Sequence, residues 1–101
     1  MPRYFAVRRI RGHAWDHAKP MRAQALWDEH ARFMNALVAE GFVVLGGPLG
    51  DDDWAEVLLA VHADSEEALR ARFATDPWTR AGLLEIARVE PWTILLDSRS
   101  P

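Results

Sequence analysis

Phe42-Val43-Val44-Leu45-Gly46-Gly47-Pro48-Leu49, then Gly50-Asp51-Asp52-Asp53, then Trp54-Ala55-Glu56-Val57-Leu58-Leu59-Ala60-Val61-His62, is the stretch on which the fold reading turns. Both apolar runs are short and rich in β-branched and aromatic residues, and the Gly-Gly-Pro ending with its acidic turn predicts a hairpin. Alternation puts Phe42 and Val44 on one face and Val43 and Leu45 on the other. The second run likewise sets Val57 and Leu59 against Leu58. A strand facing water on one side should alternate with polar residues. An apolar second face therefore predicts a cover, most economically a second copy of the chain packed sheet to sheet.

Upstream of the hairpin, Ala23, Leu26, Trp27, Phe33, Met34, Leu37 and Val38 recur at spacings of three and four. That period predicts an amphipathic helix from about Met21 to Glu40, stopped by Gly41 at a left-handed C-cap position. His30 falls within the apolar stripe, so its imidazole should point at the sheet. Before this helix, Gly12 to Met21 has no period and reads as a loop, and Tyr4 to Ile10 reads as a first strand. Downstream, Asp64 or Ser65 caps a helix running to about Ala74, with Asp64 and Glu67 at capping-box spacing. Asp76-Pro77-Trp78 opens a turn or short helix, Pro77 suiting its first position. Leu83 to Glu90 is a last strand, which Pro91-Trp92 and Thr93 to Leu96 extend or follow, and 97–101 is a frayed tail. The order β-α-β-β-α-β predicts an α+β, ferredoxin-like antiparallel sheet in a single domain over 1–101.

The chain has 101 residues, 50% apolar and 27% charged, which is ordinary globular usage. A formal charge of −3 argues against a nucleic-acid or anionic-membrane surface, both of which need excess Lys and Arg. With no cysteine there is neither a disulfide framework nor a thiol nucleophile. No apolar run reaches the roughly 18 to 20 residues of a membrane span, and none follows the N-terminal charges as a signal would. A cytoplasmic protein is expected.

Two residue types carry chemistry. His30 reads either as a buried histidine bonded to backbone or as a general base and acid. Asp76 reads as an N-cap for the turn at Pro77, as a carboxylate orienting an imidazole, or as both at once through its two oxygens. Gly47 and Pro48 either let a ligand approach bare backbone or mark a bulged strand end. Trp27, Trp54, Trp78 and Trp92 can wall an apolar pocket or belong to core or dimer interface, and Trp78 is favoured as pocket wall by its closeness to Asp76. Arg8, or Arg9, can reach an anionic substrate, with the face undecided until the register is known. His13, Asp16 and His17 have ligand-type side chains but no matching set elsewhere, so a solvated loop is expected and no metal. Asp51 to Asp53 lack calcium-loop spacing and read as a turn.

Tyr4-Phe5-Ala6-Val7, Glu29-His30-Ala31-Arg32, Gly46 to Leu49, Asp76-Pro77-Trp78 and Val89-Glu90-Pro91-Trp92, in this order, resemble the YCII-related (YciI-like) family of the dimeric α+β barrel superfamily. The resemblance implies a homodimer with a pocket in each protomer and a His-Asp active pair, here His30 and Asp76. It also implies likeness to a dehydrochlorinase acting on chlorinated hydroxymuconate, hence cofactor-independent proton transfer on a small organic acid or lactone. The substrate-binding residues expected with the pair are Gly47, Pro48, Trp78, Trp27 and Arg8. A non-catalytic ligand-binding or interaction module on the same dimer, and a cofactor-free oxygenase, are the alternatives.

Overall fold

The computed structural model describes residues 3–51 and 54–99. Asp52 and Asp53 of the expected hairpin turn, and the last two residues of the expected tail, lie outside the described residues. The elements are β1 (Arg3–Arg11), α1 (Trp27–Ala39), β2 (Val43–Pro48), β3 (Glu56–Ala63), α2 (Glu66–Phe73), α3 (Pro77–Arg80) and β4 (Leu84–Pro91). The four strands form one antiparallel sheet in the order β2-β3-β1-β4. This is the ferredoxin-like arrangement the sequence predicts.

Alternation along β1 decides which residues meet the helices. Phe5, Val7 and Arg9 are buried while Tyr4, Ala6 and Arg8 are partly exposed. In register with them stand Val61, Leu59 and Val57 of β3 and Val89 and Ile86 of β4. Leu37 of α1 and Leu69 and Phe73 of α2 close over Phe5, Val7, Leu59 and Val61 as one apolar core. Each such side chain contributes roughly 1.5–3 kcal/mol by leaving water.

A second cluster lies at one end of the sheet, where Trp15, Trp54 and Trp78 pack with Leu83 and Leu84. The Trp15 ring meets Trp54 and Trp78 edge-on, each at 5.4 Å between centroids. The 12–20 loop that carries Trp15 is clasped by buried Gln24. Its side-chain amide donates to the carbonyls of Asp16 and Lys19 and accepts from the Asp16 N–H.

The first helix is shorter than its apolar period predicts. Met21–Ala23 form a single 3-10 turn, and α1 begins only at Trp27, after Leu26 adopts a left-handed backbone with φ 62°. Side-chain bonds decide the break, because Gln24 is committed to the loop and the Ala25 carbonyl accepts the Trp78 indole N–H at 2.7 Å. A continuous helix would turn both groups elsewhere. Ser65, not Asp64, caps α2, its Oγ accepting from the Ala68 N–H. The Trp92 N–H still donates to the Tyr4 carbonyl of β1 at 2.9 Å, and residues 93–97 then follow without strand structure, leaving Leu95 and Leu96 exposed. Among the described residues no helix is long and apolar enough to cross a membrane.

Candidate active site

Asp76 lies where α2 has ended and α3 has not begun. Proline at the next position presets the helical φ, and the Asp76 carboxylate caps α3 by accepting the Trp78 N–H on Oδ1 at 3.0 Å. The same carboxylate meets α1. His30, one turn into that helix on its buried stripe, places Nδ1 2.9 Å from Oδ1 and 3.0 Å from Oδ2. Capping and histidine contact therefore share Oδ1. Oδ2 faces His30 as well, so the cap and the imidazole contact coexist on the one carboxylate.

The third partner comes from β1. Arg9 Nη1 donates to Asp76 Oδ2 at 2.8 Å, and its Nη2 donates to Thr79 Oγ1 at 2.6 Å. Arg9 is 1% exposed and Asp76 0%, so this is a buried ion pair with histidine at its rim, His30 being 8% exposed. Arg8, expected at the site, lies on the opposite face of the sheet, where it pairs with Glu56 at 2.9 Å. Strand alternation is the reason, since the register with β3 runs unbroken across the two arginines. The presence of a strand-one arginine at the site was open in the sequence. Which arginine it was depended on register.

Electrostatics follow from these contacts. Burial by itself would raise the Asp76 pKa, but hydrogen bonds from His30 and Arg9, together with their charges, outweigh it and hold the carboxyl below its ordinary range. An ionised carboxylate only accepts, so His30 Nδ1 must carry a proton and donate it. Nε2 is the nitrogen left for exchange. The imidazole lies flat on the Trp78 indole, centroids 3.9 Å apart and planes 7° apart, which fixes its orientation.

The depressed Asp76 pKa has a signed consequence. Above the ordinary carboxylate value, about 3.9, its partners stabilise the fold fully. As pH falls through that value the unfolded chain takes up a proton that the folded chain refuses, so stability declines toward the lower folded pKa. Urea midpoints measured from pH 6 to pH 3 should therefore fall more steeply in the wild type than in Asp76→Asn. Equal slopes would show that the carboxylate is not depressed.

His30 opens on a cavity of about 410 Å³ between α1 and the β2 end of the sheet. Trp27, Trp78, Gly47 and Pro48, all expected near a ligand, line it, and so does Arg9. A Cβ at Gly46 would collide with Leu59 and the Leu58 carbonyl, so strand packing requires that glycine, whereas one at Gly47 would meet nothing within 4 Å. Gly46 thus serves the bulged pairing of β2 with β3, and both glycines leave the cavity wall flat. The 13–17 loop contributes no metal set, since among the described residues no three His, Cys, Asp or Glu side chains stand together. Asp16 Oδ1 instead accepts from the Ala18 N–H.

The profile of the YCII-related domain matches residues 5–93. The chain belongs to the YCII-related domain family. Among solved structures, this YCII-related chain is similar to 5-chloro-2-hydroxyhydroquinone dehydrochlorinase from Burkholderia phenoliruptrix in complex with 2,5-dihydroxybenzoquinone. The two share 26% identity with a TM-score of 0.57, over 89% of this chain and 93% of the other. That enzyme is named for a chlorinated hydroxyhydroquinone, where the sequence resemblance implied a chlorinated hydroxymuconate. No curated protein matches the chain.

Proposed function

We propose that this YCII-related protein is a small enzyme that moves a proton on a small organic acid, lactone or hydroxylated ring, with His30 as general base and acid and Asp76 as its orienting partner. The observation behind this reading is the buried Nδ1–carboxylate contact at 2.9 Å, made by a histidine that also borders a cavity of ligand size. Asp76 fixes the proton on Nδ1 and stabilises the imidazolium formed when Nε2 accepts one. Nε2 removes a proton from an acidic C–H or O–H of the ligand, leaving its electron pair on the ligand as an enolate-type anion. The imidazolium then returns the proton at another atom. Where the ligand carries a leaving group such as chloride, the same electron pair expels it, which is the class of reaction in the similar dehydrochlorinase's name. Proton transfer of this kind asks for no cofactor.

Exchange of ligand protons into deuterated water tests the reading, with hydroxyquinones, their chlorinated forms and unsaturated lactones as probes. The wild type is expected to catalyse exchange or chloride loss on one of them, and His30→Ala to lose about 10²- to 10⁴-fold, the usual worth of a positioned acid-base group. Full activity in His30→Ala would end the proposal.

We further propose that the sheet face away from the helices seats a second copy of the chain. Its centre carries Ala6, Leu58 and Ala60, with Leu45 beside them at 56% exposure. The flanks are more polar than the sequence suggested, since Tyr4 stacks on His62 and Arg8 pairs with Glu56. Sedimentation should find a dimer at micromolar concentration and a monomer for Leu45→Lys. A wild-type monomer would rule the interface out.

A further inference from the structure

The cavity beside His30 adjoins a larger one of about 1120 Å³, with Met21, Arg22, Trp27, Pro48 and Trp54 in the walls of both. The two chambers differ in chemistry. The inner one is walled by Trp27, Trp78, Met34 and the bare backbone of Gly46 and Gly47, flat surfaces suited to a planar group. The outer one carries Arg11, Arg22 and Lys19, the last of them 3.9 Å from Asp16, and among its described lining residues only Asp51 is acidic.

Two of these cations, Arg11 and Arg22, lie over indole rings. Arg11 lies over the Trp54 ring at 4.2 Å and over Trp15 at 5.4 Å, and Arg22 over Trp27 at 5.8 Å. Among the described residues Arg22 makes no ion pair, in contrast to Arg8, Arg9, Arg70 and Arg72, each bound to a carboxylate. An indole face steadies a guanidinium without neutralising it, so the N–H fork keeps its capacity for a carboxylate, which it matches with two parallel bonds. The scaffold around this end is built, because Gln24 clasps the loop that carries Trp15 and Lys19.

We infer that the ligand is bipartite, a planar ring or unsaturated group seated against His30 and Trp78 and joined by a short chain to a carboxylate that ends at Arg22 and Arg11. This inference rests on the reading of the inner cavity as the ligand site and adds the ligand class. A single small ring fills the inner chamber alone and leaves the cationic end unused. A ring with a carboxylate-bearing arm engages both. Arg22, bordering both chambers, sets the selectivity for acids over neutral analogues.

The test uses the full chain with benzoate, phenylacetate, 3-phenylpropionate and 4-phenylbutyrate, each beside its neutral amide, with affinity from calorimetry and ring placement from the His30 imidazole signals. At least one acid is expected to bind about tenfold tighter than its amide, as one charge-assisted contact implies. The preference should peak along the chain-length series. Arg22→Gln should abolish it, with a wild-type urea midpoint showing that the variant is folded, and Arg11→Gln should reduce it. Equal affinity for acids and amides, a preference surviving both substitutions, or no binding by any member would overturn the inference. None of these results touches the His30→Ala exchange experiment, so the bipartite ligand and the acid-base reading fail separately.

Discussion

Arg9→Met is expected to destabilise the protein by about 3–5 kcal/mol, the usual cost of removing one partner from a buried ion pair. Asp76 is 0% exposed and cannot recover solvation when the guanidinium leaves, and Thr79 Oγ1 loses its donor as well. For a domain whose total stability is about 5–15 kcal/mol, that is a large share. Urea unfolding measures it. The double variant Arg9→Met with Asp76→Asn should lose less than the sum of the two single changes, because the stranded charge is then gone. A loss below about 1 kcal/mol for Arg9→Met would mean that water or another group reaches the carboxylate, since exposed pairs are worth no more than that.

Asp76→Asn is expected to reduce proton transfer by about 10²- to 10⁴-fold with a smaller effect on binding. The reason is donor and acceptor counting. The carboxylate accepts from the Trp78 N–H, Arg9 Nη1 and His30 Nδ1. An asparagine has one acceptor oxygen and one NH₂ group. Arg9 bonds Oδ2 and the Trp78 amide bonds Oδ1, so an asparagine oxygen kept on Arg9 puts the NH₂ at the Oδ1 position, where it gives up the Trp78 N–H and faces His30 Nδ1. That nitrogen must then accept, the ring proton moves to Nε2, and the base is lost. The histidine ring signals report the tautomer directly. An Asp76→Asn variant with wild-type turnover on an identified substrate would remove the orienting role and leave Asp76 as a helix cap and ion-pair partner.

The sequence resolved those parts of the site that depend on local periodicity. His30 sits on the buried stripe of a helix whose spacing is visible in one window, and Asp76 precedes a proline in helix-start position. Both are short-range signals, so both residues could be placed before any packing was known. Arg9 could not, because Arg8 and Arg9 are adjacent and identical in type. A single step in strand register exchanges the face each occupies, and register is set by pairing across β3 and β4.

The same division explains the rest of the molecule. Order and type of the elements follow from the residues alone, since apolar periods of two and of three to four separate strands from helices. The late start of α1 does not, because the period runs unbroken through Leu26 while side-chain bonds from distant Trp78 and from the Gln24 clasp pull the backbone out of the helix. The tryptophans were visible as pocket or core, and the fold made them both. Trp78 is buried, stacks under His30 and borders the cavity, while Trp54 joins the second apolar cluster and supports Arg11. Local sequence therefore determined the strand and helix plan and the positions of His30 and Asp76. Only tertiary structure decided which arginine neutralises that carboxylate and which arginines remain uncompensated, because charge compensation depends on distances between segments far apart in the chain.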